Sequence, residues 1–421
     1  MNTKKKIFFP VMILGLIISL VMAFITRGSI LWEQIFQHDL TDCFMDFFHS
    51  VKDSTMENPY SYGVLYPPVT YIFYRILATL MPEKAVMVGG HILRQNYQAT
   101  MVFFFYTVFT VLGFAYILRK FYKDLKTQAL FIVLMIMSGP FLFMAERGNC
   151  VIIAFIFLGV FLLWKDSDNK VKRELALIAL ALSFCFKIYP AIFGILLIKE
   201  KKYKEAIRCI IYALLIFLVP FFIIGNGIGA VGQWVEGIRH NMDKESGVEA
   251  GLGYKINFTS TYIALAAIFL RIRNNEAFMG LMSTFGLITS GITFLAACLA
   301  RTPRKTIALL TCFMLGFPGF SYQYMLIFMA IPLALFLEED KKFDFLDLLY
   351  TILYIFQFIL FTVDIITVAY LAGGVCLMRF LNFVENCGLL GMTFLLIIEV
   401  AVTIVKEIKE GKKPKLALSK K

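Results

Sequence analysis

The sequence predicts an all-α fold, a polytopic transmembrane helical bundle of about 10–12 membrane helices, and three observations predict it. Hydrophobic residues make up 59% of the 421-residue chain and charged residues 17%, against roughly 25% charged in soluble domains; the mean hydropathy is +0.76. Apolar runs near the roughly 20 residues needed to cross a bilayer recur from end to end, so residues 1–421 read as a single integral membrane domain. The basic residues behind the net charge of +12 fall in clusters at 4–6, 119–126, 165–173, 199–208, 301–305, 341–342 and 406–421. Basic clusters between apolar runs are the positive-inside signal, which places them and both termini in the cytoplasm. That placement argues against nucleic acid as a partner.

Taken in order, Lys4-Lys5-Lys6 precede the first run, 8–25. Thr26-Arg27 follow it with no small-x-small cleavage site, so it reads as an uncleaved helix. It delivers an outer loop, 27–66. The run 69–81 is short and interrupted by Arg75, and is expected as a short helix that returns to the outer surface. The run 101–118 crosses; 130–144 goes out and 151–164 returns, joined outside by Glu146-Arg147-Gly148-Asn149. Runs 175–186 and 191–198 form a hairpin whose outer tip is Lys187-Ile188-Tyr189-Pro190, where Pro190 supplies the break. Run 207–224 leads to a second outer loop, 225–257, rich in glycine and carrying Trp234, Arg239, His240 and acidic residues at 243–249. A short run from 258 ends at Arg271 and Arg273 and is expected to stay outside. Runs 278–299, 307–317, a stretch to 337, 346–370 and 389–405 complete the bundle, with Arg379, Glu385 and Asn386 in an outer loop. Of the eight cysteines, most fall in apolar runs and read as small buried hydrophobes. Cys43, Cys376 and Cys387 fall on the outer side, where a disulfide is chemically allowed.

This topology gathers polar residues from separate segments on one side: Asp39, Asp42, Asp46 and His49; Tyr66; Arg147 and Asn149; Lys187; Asn257 and Ser260; Tyr322, Gln323 and Tyr324. Ionisable groups at bilayer depth are costly and usually line a cavity, so one outward-facing cavity is expected. Carboxylates at its mouth suit general-base work on a hydroxyl. Arg147 and Lys187 suit a phosphate, whose charge needs a fixed cation where the dielectric is low. Together they point to group transfer from a phosphorylated donor, and a cavity open to the membrane points to a lipid-linked sugar phosphate. His38 and His49 lack a fixed ligand spacing, so a divalent metal is not indicated and no cofactor is expected.

Several of these residues also carry a resemblance. An outer-loop aspartate soon after the first helix, Asn58-Pro59-Tyr60, and Tyr66-Pro67-Pro68 opening a short helix resemble the polyprenol-phosphate-mannose-dependent mannosyltransferases of glycosyltransferase family 87, in the GT-C superfamily. Gly148-Asn149 is similar to that family's Gly-x-x-Asn position, Lys187 and Pro190 to its hairpin tip, Asn257 and Ser260 to its Asn-Gln-Ser helix start, and Gln323-Tyr324 to its late Gln-Tyr. Two departures stand out. Asp46 occupies the aromatic position four residues after Asp42, and Gly148-Asn149 lacks the intervening residues.

The resemblance implies a GT-C inverting transferase. It would move a sugar, mannose or another hexose, from a polyprenyl-phosphate donor to a glycan or glycolipid acceptor of the cell envelope at the outer face of the membrane. Asp42 is then the first choice for the base, with Asp46 and Asp39 beside it. A secondary transporter or flippase is the alternative, for which Asp364 and Glu399, within late runs, would be the charges on the path.

Overall fold

The computed structural model describes residues 2–30, 35, 41–225, 227–246, 252–270, 276–317, 321–360, 378 and 380–411. His38, Asp39, Arg271, Arg273, Asp364, Cys376 and Arg379 lie outside the described residues.

Among the described residues the fold is all-α; besides the short helices Glu83–Val88 and Ile195–Lys199, its α-helices are labelled in chain order. The first half holds α1 (Thr3–Ile25), α2 (Met45–Ser54), α3 (Pro68–Ala78), α4 (Gly90–Arg94), α5 (Tyr97–Phe121), α6 (Gln128–Ile136), α7 (Gly139–Arg147), α8 (Val151–Trp164) and α9 (Lys170–Phe186). The second holds α10 (Tyr203–Leu218), α11 (Ile228–Ser246), α12 (Phe258–Leu270), α13 (Glu276–Leu299), α14 (Pro303–Gly316), α15 (Ala330–Glu338), α16 (Phe345–Phe358) and α17 (Phe380–Lys409). Among the described residues five stretches are long and apolar enough to cross a membrane: α1, α5, α10 continued to Phe222, α13 from Ala277, and α17. The expected membrane helices resolve into these, a bent pair and shorter apolar helices such as α8, α12 and α16.

The bent pair is α6 and α7, expected as one outward run and broken by 55°. Pro140 sits in the first turn of α7, where it cannot donate a hydrogen bond backwards. The bend turns the last residues of α7 towards the cavity described below.

The basic clusters meet at one end of the bundle. Lys5 Nζ donates to Asp124 at 2.9 Å and to Glu338 at 2.7 Å, Arg301 pairs with Glu407 and Arg304 with Glu339. Lys199 donates to the carbonyls of Ala297 and Ala300 and so closes the end of α13, as a cation at a helix C-terminus should. Glu399, one of the charges a transporter would use, pairs with Lys305 at 3.3 Å and accepts from the Tyr350 hydroxyl. Helices α8, α9 and α14 run away from this end. Their far ends carry Asn149, Lys187 and Phe317, so the polar segments collect opposite the basic clusters.

Two expectations change. The run 225–257 is not all loop, because α11 occupies most of it; Ala230, Trp234 and Ile238 recur every four residues and face inward, a helical stripe that the glycines obscure in the sequence. Glu385 and Asn386 are not in an outer loop: they lie inside α17 and are fully buried. Cys387, at a position where a disulfide was chemically allowed, is a free thiol.

Arg75, which interrupts its apolar run, has a local reason. From α3 its Nε donates to Ser54 O at 2.6 Å and its Nη2 to Met56 O at 2.7 Å, satisfying carbonyls that the end of α2 leaves open. From α4, Arg94 donates to Thr41 O and Cys43 O before the start of α2. The arginines pin α2 at both ends. Its Met45, Phe47, Phe48 and Val51 pack into the core with no exposure, and its opposite face is left for the cavity. Arg75→Met removes two charge-assisted hydrogen bonds and should lower the unfolding free energy by about 2–4 kcal/mol, read as a fall in the thermal midpoint of the detergent-solubilised protein. Arg75→Lys, unable to reach both carbonyls, should recover only part.

Candidate functional site

A cavity of ≈ 760 Å³ opens at the end away from the basic clusters. Its lining includes Asp42, Asp46, His49, Tyr66, Arg147, Lys187, Tyr322 and Tyr324, so residues predicted from five separate segments do converge.

The centre of the arrangement is Arg147, the last residue of α7. Its Nη1 bonds to a carboxylate oxygen of Asp42 and to the Asp42 carbonyl at 3.1 Å. Its Nη2 and Nε reach Asp46 Oδ1 at 2.6 and 3.2 Å. One guanidinium thus holds two carboxylates that share a helix start, a geometry suited to arginine's rigid fork. Asn149 completes it, donating through Nδ2 to Asp46 Oδ2 at 2.6 Å and to the Tyr66 hydroxyl at 2.9 Å. Asp46 therefore has both oxygens engaged. Among the described residues Asp42 uses one, and its side chain is the more exposed, 40% against 22%.

Gly148 makes this possible. It ends α7 in the left-handed region at φ 63°, and an added Cβ would lie 2.7 Å from both the Phe103 ring and Phe47 Cβ. Glycine reverses the chain there, so Arg147 and Asn149 approach the same carboxylate from either side.

Lys187 follows the end of α9 in extended conformation. Its ammonium stands 4.5 Å above the Tyr66 ring and 5.7 Å from that of Tyr324, and no carboxylate pairs with it among the described residues. Burial lowers its pKa; the two ring faces stabilise the charged form in the meantime. Tyr324 itself stacks on Phe143. Tyr322 is held by a short backbone pairing in which Ile256 N donates to Ser321 O and Gln323 N to Tyr254 O, each at 2.7 Å. His49 stands edge to face with His91 at 5.3 Å, and burial and that neighbour hold it below the usual histidine range. Among the described residues no three of His, Cys, Asp or Glu converge on a metal-sized site.

Compared with known families, residues 65–320 match the model of glycosyltransferase family 87. The chain belongs to glycosyltransferase family 87. As a member it is a glycosyltransferase, and the transporter alternative falls away. Its all-α membrane bundle agrees with the GT-C-like architecture expected of the family. A comparison with curated protein sequences finds no match. The matched range covers Tyr66, Arg147, Asn149 and Lys187 but begins after Asp42 and Asp46, so the case for the aspartates is geometric.

Not every predicted residue reaches the cavity. Asn257 Oδ1 accepts from Ser260 N at 2.7 Å, so this pair caps the start of α12 and is buried. Gln323 turns the other way and donates to Glu385 at 2.8 Å. These three do not line the cavity, and neither does Asn149, which acts on it through Asp46 and the Tyr66 hydroxyl. Asp53, Tyr62 and Asn241, which do, were missed: Asp53 is seven residues after Asp46, on the same helical face, and that spacing was the available signal.

Gly148→Ala places a side chain at a left-handed position, costing about 1–2 kcal/mol, and drives it against Phe47 and Phe103. It should reduce glycosyl transfer at least tenfold while leaving helix content, read by circular dichroism, unchanged.

Proposed function

We propose that this family member transfers a hexose from a polyprenyl-phosphate donor to a hydroxyl of a lipid-linked or cell-envelope glycan, in one inverting displacement at the outer face of the membrane. The observation that carries the reading is Lys187: a fixed ammonium with aromatic faces beneath it and no anionic partner among the described residues, in the cavity that holds the aspartates. A leaving phosphate supplies the charge that such a cation lacks. Glycosyltransferase family membership supports the transfer chemistry, and the ion-paired basic end opposite the cavity supports the outer location.

In this reading Asp42 is the base. Its second carboxylate oxygen has no donor among the described residues and faces the cavity. It takes the proton of the acceptor hydroxyl as that oxygen bonds to the anomeric carbon. The bond from that carbon to the phosphate oxygen breaks, and its electron pair leaves with the polyprenyl phosphate beside Lys187. Arg147 was expected at the phosphate; with both aspartates bound to it, its part is to hold them in place. The aromatic rings of Tyr66, Tyr322 and Tyr324 would give the apolar faces of the sugar a surface.

Transfer of labelled sugar from polyprenyl-phosphate hexose in proteoliposomes tests the proposal. Asp42→Asn should lower the rate about 10²–10⁴-fold, the range of general-base catalysis, with donor binding intact. Lys187→Ala should lower kcat/KM for the donor roughly ten- to a hundredfold, the loss of one charge-assisted contact. Activity retained in Asp42→Asn but lost in Asp46→Asn would move the base to Asp46, and activity retained in both would remove the mechanism.

A further inference from the structure

The cavity extends past the aspartate pair along α2. Asp46, His49, Ser50 and Asp53 all line it, because residues three, four and seven apart share one helical face. Asp53 is two turns beyond Asp46, roughly 10 Å along the axis at 1.5 Å per residue. That is several times the roughly 3 Å reach of a hydrogen bond, so Asp53 and the aspartate pair anchored at Asp46 are placed to meet different hydroxyls.

The far end has its own walls. Tyr62, Gly63 and Tyr71 line the cavity, as do Ile238 and Asn241 of α11. These walls are fastened together: Trp234 Nε1 donates to Leu65 O at 3.0 Å, Asn58 Nδ2 to Gln233 at 2.8 Å and Asn241 Nδ2 to Gly63 O at 3.4 Å. Gly237 permits the approach, since an added Cβ would lie 3.3 Å from the Gly63 backbone. Asp53 lines the same cavity, and no hydrogen bond or ion pair to its carboxylate occurs among the described residues.

We propose that Asp53 binds a hydroxyl of the acceptor sugar, in a subsite formed by the far end of α2, the segment 62–65 and α11, and so helps to choose the acceptor. The inference rests on the transfer function proposed above. A sugar hydroxyl both donates and accepts, which suits a carboxyl whose pKa burial pushes up to about 6, because it accepts when ionised and donates when protonated. The aromatic faces of Tyr62 and Tyr71 suit the carbon side of a pyranose. No three metal-ligating groups converge here among the described residues, which makes a hydroxyl a better match than a cation.

The test uses octyl hexosides and their monodeoxy analogues as acceptor probes, with binding to the full-length protein in nanodiscs read by thermal shift and labelled transfer read separately. The wild type should bind one octyl hexoside about tenfold more tightly than one of its monodeoxy analogues. Asp53→Ala should bind both equally, and in transfer its acceptor KM should rise about tenfold with the parent hexoside and stay the same with the monodeoxy analogue; Asp53→Asn, which keeps a polar group of the same shape, should restore part of the preference. Discrimination that persists in Asp53→Ala overturns the inference, as does wild-type protein that binds none of the hexosides. Failure of the transfer function itself shows differently, as hexoside binding with no labelled product from a polyprenyl-phosphate donor.

Discussion

The site depends on one guanidinium holding two carboxylates. Arg147 lies 105 residues from Asp42 and 101 from Asp46, so the contact exists only when the turn after α7 meets the start of α2. Taking charges out of water is costly unless each finds a partner, and here two carboxylates share one cation while Asn149 takes up a further oxygen. The surrounding fold reads as the means of bringing these groups together. Pro140 bends the α6–α7 pair, Gly148 reverses the chain, and the aromatic packing of Phe47 on Tyr106 at 5.0 Å seats α2.

Short helices like α2 have little stability of their own, because helix nucleation is costly and a ten-residue segment recovers few internal hydrogen bonds. Its stability comes from its surroundings. Arg94 holds backbone carbonyls before its start and Arg75 holds them at and just past its end, its apolar face is buried, and Asp46 in its first turn and Lys52 in its last complement the helix dipole. A helix held this way can devote its whole second face to polar groups. The result is a row of Asp46, His49, Ser50 and Asp53 along a single cavity.

Charge is divided between the ends of the bundle for a related reason. At one end lysines and arginines are neutralised by acids or cap helix C-termini, as Lys5 and Lys199 do. At the other, Lys187 rests on aromatic faces instead. Both arrangements keep a cation charged near a low-dielectric medium, but only the second leaves it available to a ligand.

Composition, hydropathy and the spacing of basic clusters are properties read along the chain, so the membrane bundle, the turn at Glu146-Arg147-Gly148-Asn149 and the tip at Lys187 were legible in the sequence. The helical stripe of α11 was not, because its glycines read as loop; the burial of Glu385 and Asn386 was not, because polar residues near an apolar run look the same whether they cap it or sit within it. The sequence by itself determined which residue types would stand at the polar end of the bundle. Only the tertiary structure decided their partners: Arg147 went to the aspartates, Asn257 to its own helix cap and Gln323 to Glu385, while Lys187 kept to the aromatic rings. Which donor meets which acceptor depends on ångström-scale positions of segments a hundred residues apart, and sequence patterns, whose periods span a few residues, do not contain them.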